Sequence, residues 1–195
     1  MTKINPQKIA GKWQSGIALD VHTLSSTYLG VNEHGHEIYD TKRSEIGELL
    51  YRLKYKSDMA AANDIVAAAV EYLKPHLSKF DVIVPVPPSG ARAVQPVSTL
   101  AKGIGAALAV PVAECVVLTR SATQLKGVID PDKRKELLVG LHSIDAAQTK
   151  GKKILLFDDL FRSGSTMNAI TELLNSKGQA ESVRALTITR TRSNQ

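Results

Sequence analysis

Two apolar runs anchor the pattern of this chain. Asp81-Val82-Ile83-Val84-Pro85-Val86-Pro87 ends in prolines, and Ile154-Leu155-Leu156-Phe157 leads straight into Asp158 and Asp159. Runs without polar alternation are expected of strands buried on both faces of a parallel sheet. Residues 111–118 and 182–189 predict two further strands. Helical spacing fills the gaps. Residues 44–55 place Ile46, Leu49, Leu50 and Leu53 on one side, and residues 58–77 are Ala-rich and broken near Pro75. Residues 91–108 and 167–177 predict two more helices, the last ending at Gly178. Strands alternating with helices predict an α/β fold with a parallel sheet. Ahead of them, residues 17–22 partly alternate and residues 37–39 predict a second short strand. Asn32-Glu33-His34-Gly35 between the two is turn chemistry, so residues 16–41 predict a hairpin or short meander.

The run from Ile154 to Thr166 carries the most chemistry. The strand over residues 153–157 is followed by Asp158-Asp159-Leu160-Phe161-Arg162-Ser163-Gly164-Ser165-Thr166 and then a helix. Free amides and hydroxyls at a helix start hold phosphate. Carboxylates repel phosphate but accept hydrogen bonds from sugar hydroxyls and bind hard cations. Acids beside a phosphate loop, at the carboxyl end of a strand, point to a ribose phosphate.

This run resembles the signature of type I phosphoribosyltransferases: two acids, a hydrophobic residue, two variable residues, then Thr-Gly-x-Thr. Ser163 stands in place of the first Thr and keeps the hydroxyl. The resemblance implies a parallel α/β core with a small strand-rich N-terminal hood. It implies 5-phosphoribosyl 1-pyrophosphate as donor and Mg2+ as cofactor, the ion held through the pyrophosphate with Asp158 and Asp159 as candidate ligands. By the same resemblance Asp158 and Asp159 contact the ribose hydroxyls, and Arg162, Ser163, Gly164, Ser165 and Thr166 hold the 5′-phosphate.

A second loop follows the first apolar run. Prolines stiffen its entry, and Gly90 permits close backbone approach. In the family this loop binds pyrophosphate, which assigns Pro88, Ser89, Gly90, Ala91 and Arg92 to that role. Lys54, at the end of the first helix, is assigned with them; a cation there also suits the helix dipole. Residues 119–141 are polar, rich in cations and hinged at Gly127. So long a segment is either functional or a plain solvated loop. The resemblance makes it a lid that closes over the substrate, with Lys126 and Arg134 joining Asp158 and Asp159 as catalytic residues. The spacing of Arg120, Gln124, Leu125 and Arg134, with Pro85-Val86-Pro87 and Leu53-Lys54-Tyr55, resembles the ComF-like branch. Many proteins of that branch begin with a cysteine zinc module, which this chain cannot build.

Composition narrows the alternatives. With 195 residues, 43% hydrophobic, the chain can form one packed domain plus an appendage, divided here into a hood over 1–57 and a core over 58–195. The net charge of +6 and pI of about 9.4 suit an anionic substrate, and also nucleic acid. The basic residues are dispersed, so nucleic-acid binding is the minority reading. Cys115 is the only cysteine, which fits a reducing compartment. Residues 1–13 have no apolar signal core, and no apolar run reaches membrane-spanning length. A soluble, cytoplasmic protein is therefore expected, and a homodimer is common in the family it resembles. The acceptor stays open, with Tyr28, Tyr39, Tyr55 and Phe161 as residues able to stack a base. The rival readings are a non-catalytic phosphoribosyl-pyrophosphate sensor or DNA-associated regulator on the same fold, and a generic sugar-phosphate-binding protein. His34 and His36 read as a surface turn, and Gly103-Ile104-Gly105 lacks the third glycine of a dinucleotide site.

Overall fold

The computed structural model of the chain describes residues 2–90, 94–120, 128 and 130–192. In chain order its elements are β1 (Gln7–Lys8), β2 (Ser15–Val21), β3 (Thr23–Val31), β4 (Glu37–Arg43), α1 (Glu45–Lys56) and α2 (Met59–Leu73). A 3₁₀ segment, Lys74–Lys79, leads to β5 (Val82–Pro85), α3 (Pro96–Leu108), β6 (Val116–Leu118) and α4 (Pro131–Leu138). Then come β7 (His142–Ile144), β8 (Lys153–Phe161), α5 (Ser165–Ser176) and β9 (Ser182–Arg190).

The central sheet runs β1-β2-β9-β8-β5. β2, β9, β8 and β5 are parallel, and β1 lies antiparallel on the outer edge. Each face carries its own core. On one face Leu50, Leu53, Ile65, Leu100 and Ile104 from α1, α2 and α3 cover Leu155, Phe157, Leu186 and Ile188. On the other Met167, Ile170 and Leu174 of α5, with Trp13, cover Ile154, Leu156 and Ala185. Burial on both faces is why β5 and β8 read as unbroken apolar runs.

The α/β prediction with a parallel sheet and flanking helices is met, and four local readings change. Residues 17–22 do not pair with residues 37–39; β2 joins the central sheet beside β9, with Ala18 and Leu19 fully buried. The hairpin is instead β3 with β4, and it stands exposed. Packing therefore does not divide at residue 57, because β2 and α1 belong to the main core. Residues 111–118 are not one sheet strand: Val112 makes a lone parallel bridge to Ile83, and β6 pairs with β7 in a separate ribbon. The segment expected as a loop over 119–141 contains α4. Finally, β8 runs on to Phe161, so both acids lie inside the strand.

α1 and α2 meet at a corner set by short-range polar contacts. Ser44 accepts from Gly47 N and donates to Val21 O, tying the start of α1 to the end of β2. A Cβ at Gly47 would sit 2.4 Å from the His22 carbonyl oxygen, so glycine is required at that crossing. Asp58 caps α2 by accepting from Ala61 N at 3.1 Å, and it takes the Arg52 guanidinium at 2.9 and 2.6 Å. The Ala61 amide, and then Arg52, hold the Asp58 carboxyl below its ordinary pKa. A depressed folded pKa stabilises above the unfolded value and is lost as pH falls through the folded one. Asp58→Ala should therefore melt below wild type at neutral pH, with the gap narrowing as pH drops below about 4. A gap unchanged down to pH 2 would show that the charge contributes nothing.

Candidate active site

The carboxyl edge of the parallel strands gathers four chain segments. β8 delivers Asp158 and Asp159 and turns into α5 through Arg162, Ser163 and Gly164. The loop after β5 starts level with them, because Val86 N donates to Phe157 O at 2.8 Å. His22 follows the end of β2, and its amide donates to Arg190 O at 2.7 Å. β9 contributes Thr187 and Thr189, both fully buried.

Gly164 has φ +73°, and a Cβ there would meet Phe161 Cε2 at 2.7 Å. The left-handed turn breaks the strand direction and starts α5. The N-cap residue Gly164 has no side chain to cap this helix, and the Ser165 amide makes only a long contact to Ser163 Oγ at 3.5 Å, so the first turn of α5 can turn its amides to an anion. The Ser163 and Ser165 hydroxyls lie 2.8 Å apart and hydrogen-bond to each other. Phe161 is held in turn by Trp13, edge-on at a centroid distance of 6.1 Å. Asn168, one turn into α5, accepts from Lys12 N at 2.8 Å, and Lys12 Nζ pairs with Glu172. The segment around Lys12 and Trp13 thus braces the loop.

The acids are unequally placed. Asp159 is paired with Lys54 of α1, Nζ to Oδ2 2.8 Å, with side chains only 12% and 16% exposed respectively. Asp158 accepts the Asp159 amide at 2.8 Å. Burial, reinforced by the neighbouring Asp159 charge, pushes the Asp158 carboxyl well above the usual carboxylate range. Beside it in register lies Thr187, whose buried hydroxyl has no hydrogen-bond partner among the described residues. Thr189 Oγ1 donates to Asp159 O at 3.4 Å and lies 3.3 Å from His22 Nδ1. Burial, then the Arg43 and Lys54 cations, lower the His22 pKa and keep the ring neutral.

The structure brings together Asp158, Asp159, Arg162, Ser163, Gly164, Ser165 and Thr166 with the strand end before Pro88, Ser89 and Gly90. Lys54 reaches the acids. Gly90 is exposed with no described atom within 4 Å of a Cβ there, and its carbonyl accepts from Gln95 Nε2 at 3.0 Å. Ala91, Arg92 and Lys126 lie outside the described residues, as do Gln124, Leu125 and the side chain of Arg134. The stem of the lid segment is firm. Arg120 Nη2 donates to the carbonyls of Leu137 and Val139, each at 3.1 Å, and Leu138 and Leu141 pack with Leu118 and Ala169. Sequence reasoning missed His22, Thr189, Trp13 and Asn168. The available signal for His22 was positional: it directly follows a partly apolar strand. It was hidden by reading residues 17–22 as a hairpin arm.

No group of three or more His, Cys, Asp or Glu side chains could hold a metal ion among the described residues, and none of their helices is long and apolar enough to cross a membrane. No curated protein sequence matches the chain. In structure, the chain is similar to a glutamine phosphoribosylpyrophosphate amidotransferase from B. subtilis, complexed with ADP and GMP. The TM-score is 0.51 at 17% identity, over 81% of this chain and 35% of that one. It is also similar to an adenine phosphoribosyltransferase from Saccharomyces cerevisiae, with TM-score 0.49 and 17% identity over 86% and 84% of the two chains. An orotate phosphoribosyltransferase from Aeropyrum pernix gives 0.45 and 16% over 87% and 76%. The family model of the phosphoribosyl transferase domain matches residues 54–195, most of the chain. This chain therefore belongs to the phosphoribosyl transferase domain family, a family of pentosyl-transferring enzymes.

Proposed function

We propose that the chain transfers the phosphoribosyl group of 5-phosphoribosyl 1-pyrophosphate to a nitrogen acceptor, with release of pyrophosphate. The observation that carries this reading is the left-handed turn at Gly164. It places the α5 N-terminus and two seryl hydroxyls directly beyond an acid pair on the same strand. The 5′-phosphate would sit on residues 162–166, the ribose hydroxyls on the acid pair, and the pyrophosphate against residues 88–92. Positive charge builds at C1 in the transition state while negative charge builds on the leaving group. The residues act by positioning and electrostatics. Lys126 and Arg134, in the chain between β6 and β7, would bring positive charge to the leaving group as the expected lid closes.

Magnesium fits this site in a limited way. Carboxylate oxygens are suitable ligands, yet Asp159 already pairs with Lys54 and no acid cluster forms a cage. The residues thus suit an ion held mainly by diphosphate oxygens and water, as is usual for Mg2+. When bound it would neutralise charge on the leaving pyrophosphate. The β3–β4 hairpin, exposing Tyr28 and Tyr39 at a ring distance of 5.5 Å, supports the proposed hood over the acceptor side. The ComF-like assignment rests on Leu53-Lys54-Tyr55, Pro85-Val86-Pro87 and the spacing of Arg120, Gln124, Leu125 and Arg134, and the buried thiol of Cys115 suits a cytoplasmic enzyme.

Calorimetric titration of the donor should show binding in magnesium that weakens in EDTA. Absence of binding in both would reject the reading. Trp13 is the only tryptophan and rests on Phe161 beside Gly164, so its emission should change as donor or ribose 5-phosphate binds. A silent Trp13 in a sample that binds by calorimetry would separate the brace from the phosphate site. Gly164→Ala forces a β-carbon into a left-handed backbone, which costs about 1–2 kcal/mol. It should weaken ribose 5-phosphate binding roughly tenfold, and unchanged affinity would remove residues 162–166 from the phosphate site.

A further inference from the structure

Transfer to a nitrogen acceptor releases a proton as the new C1–N bond forms. The roles assigned so far hold the sugar, the phosphate and the leaving group, and none of them takes that proton. His22 stands at the same carboxyl edge. It follows β2, and its amide is tied to Arg190 O at the end of β9, the strand between β2 and the acid-bearing β8. Two contacts define the state of its ring. Thr189 Oγ1 has one hydrogen, and the Asp159 carbonyl, 3.4 Å away, can only accept it. The same hydroxyl must then accept from His22, whose Nδ1 lies 3.3 Å away. The ring is thereby fixed with its hydrogen on Nδ1 and a bare lone pair on Nε2. Nε2 has no hydrogen-bond partner among the described residues, and the residue is partly open to solvent. Four charged groups face the ring: Arg43 at the end of β4, Glu48 and Lys54 of α1, and Asp159 of β8. Burial and the two cations outweigh the two acids and hold the ring below its ordinary pKa, so the lone pair is free at neutral pH. Arg43 is itself held by Glu48 at 3.2 Å and lies 4.0 Å from the centre of the Tyr51 ring.

Resting on the phosphoribosyl-transfer reading, we propose that His22 is the catalytic base of the acceptor side, with Nε2 taking the proton that the acceptor nitrogen sheds. The lone pair of the acceptor nitrogen forms the bond to C1. The bond from C1 to the pyrophosphate oxygen breaks, and its electron pair leaves with the pyrophosphate. The N–H proton passes to Nε2, and the imidazolium returns it to solvent after product leaves. Asp159 and Glu48, the two acids that face the ring, stabilise that cation. A site that presents a lone pair and no hydrogen selects a heterocycle that offers an N–H, and it rejects one whose nitrogens all carry lone pairs or substituents. Thr189 is then a positioning residue, because its hydroxyl decides which ring nitrogen is bare.

Pyrophosphate release at saturating donor tests this, with adenine, hypoxanthine, uracil and orotate as acceptors. His22→Gln and His22→Asn should lower kcat/KM for any base that reacts by about a hundredfold. Donor affinity by calorimetry and the thermal melt should stay close to wild type. The wild-type rate should fall as pH drops through the His22 pKa, and that acidic limb should be missing in both variants. Nitrogen NMR of the imidazoles reads the ring without any acceptor. At neutral pH His22 should show the Nδ1–H form, its signals assigned by their loss in His22→Gln, and Thr189→Val should release a mixture of tautomers. A hydrogen on Nε2 at neutral pH in wild type would overturn the inference. So would an acidic limb that persists in the variants, or a loss of turnover matched by an equal loss of donor affinity, which would make His22 structural. Donor binding by wild type with no base turned over, and none shifting the Nε2 resonance, removes the inference and leaves the donor site standing. If wild type does not bind the donor, the proposed function falls and this inference with it.

Discussion

Everything in this protein is arranged around β8, a strand whose first half is buried on both faces and whose second half carries two acids. The apolar half is secured by packing: Ile154, Leu155, Leu156 and Phe157 are all at most 4% exposed. The acidic half cannot be secured that way, because an ionised carboxylate taken out of water needs a partner or must stay neutral. The two acids meet that requirement differently. Asp159 has Lys54, and Asp158 is pushed toward its neutral form by burial and by its charged neighbour.

The elements around β8 act as supports for that strand and the turn after it. α1 is fixed to β2 through Ser44, and its last turn carries Lys54 to the acids. On the opposite face the N-terminal segment holds α5 through Lys12 and steadies Phe161 through Trp13. The Trp13 indole is itself fixed by donation from Nε1 to the Ile9 carbonyl at 3.1 Å. The glycine turn is thereby enclosed between a ring that fills the space of a side chain and a helix whose amides open outward. Rigidity in the braces and openness at the turn are what an anion site needs, because the donors must be in place before the charge arrives.

The parts legible in the sequence were those whose chemistry is local. Asp158 through Thr166 announced an acid-bearing strand, a glycine turn and a hydroxyl-rich helix start, and each lies where that order implies. The α1 core face was legible from the spacing of Ile46, Leu49, Leu50 and Leu53. Less legible were elements whose role depends on a distant partner. Residues 15–21 look like a hairpin arm until β9 is present to take them as a parallel neighbour. Residues 116–118 look like a sheet strand until β7 pairs with them elsewhere. Trp13 and Asn168 gave no signal, because their contacts span more than a hundred residues.

By itself, then, the sequence determined the α/β class, the strand that carries the acids and the glycine turn after it, because apolar periodicity and glycine backbone freedom act between near neighbours. Only the tertiary structure decided which acid pairs with Lys54. Alternation along β8 sends the acids to opposite faces, but whether a cation waits on either face depends on where a helix some hundred residues earlier comes to rest. That placement is fixed by packing of whole layers and by the Ser44 tie to β2, neither of which is written at residues 158 and 159.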